Sequence, residues 1–355
     1  MRPAVRWLAV IGCGIGLLAG CGGSPAVAPQ QKAAAAFLAS YARPGGQVIR
    51  RDQGDDTVSE GQSYGMLLAE VAGDPGAFRQ IWDWTRRHLQ LSDGLFAAQA
   101  SAAGQVVSDQ SASDADLLIA WALLRYRGPG EAARHRDGRR VADAVLAREV
   151  TPGPGGRPVL AAGPWATGRP ASLDPSYWSL PALQGLARLT GRAQWRRLAA
   201  EAVSLTRSLT RDGRLLPSDW AELTAAGALR PEPAPNGSQP QTQYGLDAQR
   251  AVAWFAASCD PQARALAARW WPLLRAGHRV QALALQPDGT VLDGLSGALP
   301  LVASAAAAQA AGDGRAAGQL LRHAGQVQQR YPTYYGSAWN ALGMTLLTSR
   351  SLSAC

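Results

Sequence analysis

Apolar residues recur at three-and-four spacing along almost the whole chain, the period that puts them on one face of a helix. Twelve windows carry it, near 32–43, 60–72, 76–91, 112–127, 131–149, 176–190, 193–211, 243–257, 261–275, 297–311, 313–330 and 334–348. Breakers separate them, among them Pro44-Gly45-Gly46, Gly73-Asp74-Pro75, Gly128-Pro129-Gly130, Asp260-Pro261 and Gly312-Asp313-Gly314. Short turns join 60–72 to 76–91, 112–127 to 131–149, 176–190 to 193–211 and 243–257 to 261–275, which predicts antiparallel helical hairpins. Twelve helices paired in this way predict an all-α fold, an (α/α)6 barrel of six inner and six outer helices. An elongated helical solenoid is the competing layout, but no fixed-period repeat supports it. Two stretches, 151–175 and 212–242, are rich in Pro, Gly and Thr and read as long connections of the functional kind. A third, 278–295, alternates at Val280-Gln281-Ala282-Leu283 before Pro287-Asp288-Gly289 and predicts a small hairpin.

The 355 residues are 47% apolar and 17% charged, a globular balance that excludes disorder. The formal charge of +9 comes almost wholly from arginine, Lys32 being the only lysine. Arginines are scattered, as at Arg86-Arg87 and Arg196-Arg197, rather than gathered into a stripe, which argues against nucleic acid as a partner. At the N-terminus Arg2 and Arg6 precede an apolar run, Trp7 to Leu18. It falls short of the roughly 20 residues of a membrane span and suits a signal-peptide core. The run ends Leu18-Ala19-Gly20-Cys21, which resembles a bacterial lipobox. That resemblance implies cleavage after residue 20 and lipid on Cys21, and Gly22 in place of aspartate implies the outer membrane. An ordinary signal peptide with an incidental cysteine is the alternative. Residues 21–31 then read as a flexible tether and 32–350 as one domain. Cys13 leaves with the signal, and an oxidising periplasm would permit Cys259 and Cys355 to pair, although spacing does not show that they meet. Histidines 88, 135, 278 and 323 have no ligand spacing and no CxxC occurs, so no structural zinc site is expected.

Two segments place carboxyls at helix starts in a small, polar context: Thr57-Val58-Ser59-Glu60-Gly61-Gln62-Ser63-Tyr64-Gly65-Met66 and Ser111-Ala112-Ser113-Asp114-Ala115-Asp116. Thr57 with Glu60, and Ser111 with Asp114, also fit a capping box, in which the acid satisfies free backbone donors and does no chemistry. Arg250, one turn after Asp247, fits an ordinary i,i+3 surface pair.

The strings from Ser59 to Met66 and from Ala112 to Asp116 together resemble the paired signature of glycoside hydrolase family 8, and closely that of endoglucanases accompanying bacterial cellulose synthase. Tyr244-Gly245-Leu246-Asp247-Ala248-Gln249-Arg250 is similar to the family's Tyr-Asp-Ala-x-Arg segment. Asp174-Pro175-Ser176-Tyr177-Trp178, Leu216-Pro217-Ser218-Asp219-Trp220 and Tyr334-Tyr335 match in the same order. The resemblance implies an (α/α)6 barrel and inverting hydrolysis of a β-1,4-glucan without a cofactor. It implies Glu60 as general acid, Asp247 as general base and Asp114 as the carboxylate holding the sugar at the cleavage point. Tyr64, Tyr177, Trp220, Tyr335 and Arg250 become candidate substrate contacts, and a cellulose-synthase export complex a candidate partner. If even-numbered helices are inner, the starts at 60, 112, 176, 243, 297 and 334 fall at one end of the ring. Trp82, Trp254 and Trp271 lie on amphipathic windows and read as core, while Trp121 and Trp178 fit either role. The chain departs from the family at Asp93-Gly94-Leu95-Phe96-Ala97-Ala98-Gln99, where a Trp-rich segment is usual, and at Arg125-Tyr126-Arg127. Chitosan, xylan or mixed-linkage glucan are alternative substrates, and a glycan-binding toroid that cleaves nothing is the reading from another class.

Overall fold

The computed structural model describes residues 27–355, so Arg2, Arg6 and the string ending at Cys21 lie outside the described residues. Twelve α-helices form where the apolar period placed them. They are α1 (Pro29–Tyr41), α2 (Ser59–Ala72), α3 (Pro75–His88), α4 (Ser113–Arg125), α5 (Glu131–Arg148), α6 (Leu180–Thr190), α7 (Ala193–Leu209), α8 (Leu246–Ala256), α9 (Pro261–Leu274), α10 (Ala298–Ala310), α11 (Gly314–Arg330) and α12 (Tyr334–Thr348). The first begins inside the stretch read as tether: Pro29 occupies the opening turn, and the Gln31 side chain accepts the Ala28 N–H at 3.2 Å. The sixth begins four residues after 176, because Asp174 through Tyr177 forms a separate 3-10 turn.

Even-numbered helices pack in a closed sequence, α2 on α4, α4 on α6, and so on to α12 on α2, with the odd-numbered ones outside. This is the (α/α)6 barrel rather than the solenoid. Sequence pattern decides which layer each helix joins. In α4 every residue from Ser113 to Leu124 is buried, and α10 is buried from Ala298 to Ala308, so these helices are enclosed all round. By contrast α3 and α11 bury single stripes, Phe78, Ile81, Trp82, Trp84 and Thr85 in one and Ala317, Leu321 and Ala324 in the other. Trp82, Trp121, Trp178 and Trp254 are all core, at 2% exposure or less, and Trp271 is 8% exposed.

Because each outer helix runs antiparallel to its inner neighbour, the six inner helices run the same way, and their N-termini gather at one end of the ring. Ten short strands decorate the fold: β1 (Thr57–Val58), β2 (Ala97–Ala100), β3 (Val106–Ser111), β4 (Val150–Pro152), β5 (Pro158–Leu160), β6 (Ala171–Leu173), β7 (Trp220–Leu223), β8 (Leu229–Glu232), β9 (Ala282–Leu285) and β10 (Val291–Ser296). They make sheets of order β1-β2-β3 and β6-β7-β8 and the pairs β4-β5 and β9-β10. The long connections therefore contain strands and not bare loop, and 278–295 forms the expected hairpin. Tyr244 and Leu285 exchange backbone bonds of 2.8 and 3.0 Å, tying that hairpin to the start of α8. Cys259, just after α8, is disulfide-bonded to Cys355, with Cα atoms 5.5 Å apart. Among the described residues no helix is long and apolar enough to cross a membrane, and no cluster of metal-binding side chains occurs.

Candidate active site

Glu60, Asp114 and Asp247 each stand in the first turn of an inner helix, so the common direction of α2, α4 and α8 brings all three to one end. Arg250 binds them together. One amino group of its guanidinium bonds Glu60 Oε1 and, at 2.9 Å, Asp114 Oδ2; the other bonds Asp247 Oδ1 at 2.9 Å and the Ser176 hydroxyl at 2.7 Å. Asp174 Oδ2 faces the same amino group at 3.7 Å. Arg250 is thus buried, and the surface-pair reading is corrected: closing the ring folds it under the carboxyls.

The capping-box reading fails for Glu60. The N-cap of α2 is Val58 with no side-chain bond, and the Thr57 hydroxyl instead donates to Val48 O at 3.0 Å. For Asp114 it survives in part, since Oδ1 accepts the Ala115 N–H at 2.8 Å, whereas Ser111 bonds elsewhere.

Four carboxyls around one guanidinium cannot all carry charge in so dry a place. Burial pushes the Glu60 pKa up to about 7; Arg250 pulls against this, and Asp114 and Asp247 add to it. Burial likewise raises Asp114 and, more strongly, Asp174. The Glu60 and Asp247 side chains keep 20% and 30% of their surface exposed, against 7% for Asp114 and none for Asp174, so these two are the carboxyls a substrate meets most freely.

Asp219, from the 212–242 connection, anchors the helix that carries Asp247. Its Oδ1 accepts the N–H groups of Gly245 and Ala248, both at 2.8 Å, and its Oδ2 accepts from the Gln243 amide at 3.1 Å. It does for α8 what an N-cap does, from 26 residues away in sequence. Burial, with Asp247 nearby, raises its pKa to about 7.

The aromatic expectations divide. Tyr177 and Tyr335 are partly exposed, and the Arg250 guanidinium lies over the Tyr177 ring, 5.4 Å from its centre. Tyr64, expected to touch sugar, is 1% exposed and donates its hydroxyl to Glu60 Oε1 at 3.0 Å, so it orients the acid. Trp220 is 9% exposed, its ring packed against Tyr177 and Trp165, with centroids 6.1 and 6.3 Å away. The exposed ring of this group is Trp165, 42% exposed and fixed by its indole N–H to Ser111 O at 3.1 Å. It sits within 151–175, where composition flagged a functional connection without picking out the residue. Asp174 and Asp219 lay in the matching strings, but only ring closure shows what they touch. A hollow of about 260 Å³ is lined by Leu246, Leu283, Tyr331 and Tyr335, among others.

A ring of helical hairpins with acid carboxyls gathered at one end, beside partly exposed aromatic rings, defines a carbohydrate-cleaving acid–base enzyme. The profile of glycosyl hydrolases family 8 matches residues 24–347, and the chain belongs to that family. It is 30% identical over 250 residues to an endoglucanase of Cellulomonas uda, covering 69% of this chain and 68% of that one. It is 34% identical over 236 residues to a probable endoglucanase of Novacetimonas hansenii, covering 62% and 65%. Thus it spans about two thirds of the length of these relatives. The solved endo-β-1,4-glucanase CMCax of Acetobacter xylinum superposes with a TM-score of 0.73 at 27% identity, over 89% of this chain and 97% of that one.

Proposed function

We propose that the chain is an endo-acting, inverting β-1,4-glucanase, with Glu60 as general acid, Asp247 as general base and Asp114 holding the sugar at the cleavage point. One observation carries this reading: the two exposed carboxyls sit on opposite arms of a single buried guanidinium, and one of them is kept protonated near neutrality. Inversion needs that division of labour. The acid delivers a proton to the leaving oxygen while a carboxylate draws a proton from water on the opposite sugar face, the pair standing about 6.5–9.5 Å apart to leave room for the water. Tyr64 and Arg250 fix the Glu60 carboxyl in direction, and Asp219 fixes the helix turn that presents Asp247. Trp165, Tyr177 and Tyr335 offer apolar faces to sugar C–H surfaces along the cleft, which suits internal attack on a polymer. No cofactor enters this chemistry.

Reducing-sugar release from a soluble cellulose derivative, chitosan, xylan and mixed-linkage glucan in parallel tests the substrate. The cellulose derivative should be cleaved fastest; binding without cleavage of any polymer would make the protein a glycan-binding toroid. Proton NMR of the earliest product should show the α-anomer, since no covalent intermediate resets the configuration. An initial β-anomer removes Asp247 as the water-activating base.

The enzyme acts outside the cytoplasm, held at the outer membrane by lipid on Cys21, beside a cellulose-synthase export complex. The Leu18-Ala19-Gly20-Cys21 string supports the anchor, the disulfide suits an oxidising compartment, and the motif likeness supports the partner. Cys21→Ser should release the protein from detergent-extractable membrane; retention there rules out the lipid.

A further inference from the structure

Behind Asp114 lies a second pair of acids that the reaction above does not use. Asp116 and Glu149 are both 0% exposed. Asp116 follows Asp114 by two residues on α4, and its Oδ1 accepts the Phe96 N–H at 2.9 Å. Glu149 closes α5; its Oε1 accepts the Ser111 hydroxyl at 3.3 Å, and its carbonyl accepts the Ala161 N–H at 2.8 Å. The two carboxyls lie within reach of each other, and Asp116 Oδ2 and Glu149 Oε2 are both buried without a hydrogen-bond partner. Asp114 and Asp93, both acidic, add negative charge around the pair, and no basic side chain hydrogen-bonds to either carboxyl. Two ionised carboxylates in contact, dry and without a counter-charge, would repel strongly, whereas one carboxylic O–H donated to the neighbouring carboxylate satisfies both orphaned oxygens at once. Burial accordingly raises both pKa values well above the carboxylate range.

The pair ties together segments that carry Asp114 and Trp165. Ser111, bonded to Glu149, presents its carbonyl to the Trp165 indole at 3.1 Å. Ser113 bonds Ala161 O at 2.6 Å and Ala162 O at 3.0 Å, so the start of α4 and the loop leading to Trp165 meet directly in front of the pair. We propose that Asp116 and Glu149 share one proton and act as positioning residues, a buried latch that holds Asp114 and the Trp165 ring in register with each other. The consequence for turnover rests on the glucanase reading; the shared proton does not.

Asp116→Asn is the discriminating variant. Its amide fills the same volume, donates N–H to Glu149 and leaves the pair with a single negative charge, so kcat should stay within about threefold of wild type. Asp116→Leu leaves the Phe96 N–H unbonded and Glu149 buried alone, and kcat should fall by about two orders of magnitude through misplaced groups. Rescue by Asn but not Leu separates positioning from mere bulk. Two readouts need no substrate and stand even if Asp116→Leu does not fold. At pH 8, where Glu60 is ionised, the infrared difference between wild type and Asp116→Asn should contain a protonated-carboxyl C=O band belonging to wild type. The wild-type pair holds its proton above the pH at which the unfolded chain releases it, so wild type loses the pair's contribution to stability as pH rises, a contribution that the variant lacks. The Tm of Asp116→Asn relative to wild type should therefore climb from pH 5 to pH 8. No band and a pH-independent Tm gap overturn the shared proton, and loss of activity in Asp116→Asn equal to that in Asp116→Leu overturns the positioning role. Wild type inactive on every glucan, with the band present, overturns the glucanase reading and leaves the shared proton standing.

Discussion

Glu60 and Asp247 are alike in chemistry and differ in surroundings, and the difference assigns their work. Glu60 receives the Tyr64 hydroxyl and one arm of Arg250 in a desolvated corner, and holds a proton up to about pH 7. Activity should accordingly fall as pH rises through 7, on the alkaline limb of kcat/KM. Glu60→Gln should abolish turnover, because an amide cannot supply the acid proton, while polymer binding persists. The same substitution has a stability signature. A carboxyl whose folded pKa is raised contributes most below its unfolded value and loses that contribution as pH rises from about 4.5 through 7. Glu60→Gln removes this titration, so its Tm relative to wild type should be higher at pH 8 than at pH 5. A Gln variant with wild-type turnover would end the acid assignment.

The helices turn these residues into a site because their ends, rather than their faces, carry the chemistry. In α8 the first turn needs acceptors for its free N–H groups, and Asp219 supplies them from a connection that composition alone marks only as long. Asp219→Ala should cost about 0.5–2 kcal/mol, the usual worth of a cap, and lower kcat by letting Asp247 drift. Asp219→Asn keeps an acceptor oxygen and should retain most of both, as thermal melts and steady-state kinetics would show. Equal losses in the two variants would mean that the charge of Asp219, not its bonding, is what matters. Gly245 belongs to the same joint: a Cβ there would strike the Asp219 carboxylate, so Gly245→Ala should mimic Asp219→Ala.

The ring itself is closed by helix packing and secured at its tail. Cys355 reaches back to Cys259 across a sequence separation of 96 residues. Cross-links over loops of this length stabilise by roughly 2–5 kcal/mol, chiefly by restricting the unfolded chain. The disulfide sits beyond the C-terminal end of α8, whereas Asp247 is at the other end, about 17 Å away along an 11-residue helix and its exit turn. Cys259→Ser should therefore lower the Tm clearly and leave kcat within about twofold. A large loss of kcat at temperatures where the variant is still folded would show that the tail reaches the site.

The period of apolar residues determined the twelve helices and, through the paired turns, the layered ring, because helix formation and amphipathicity depend on neighbours three and four positions apart. The motif strings brought Glu60, Asp114 and Asp247 forward for the same local reason, each being the acid of a helix start. What only the tertiary structure decided is who meets whom. The bond from Arg250 to Glu60 spans 190 residues and that to Asp114 spans 136, and no local pattern encodes such pairings. Exposure was equally illegible. Tyr64 and Trp220 share their strings with site residues yet are buried, while Trp165 is exposed, because tertiary packing, not residue type, chooses which aromatic faces water. The joining of Cys259 to Cys355 and the contact of Asp116 with Glu149 belong to the same class: both are set by how distant segments stack once the inner helices have closed on one another.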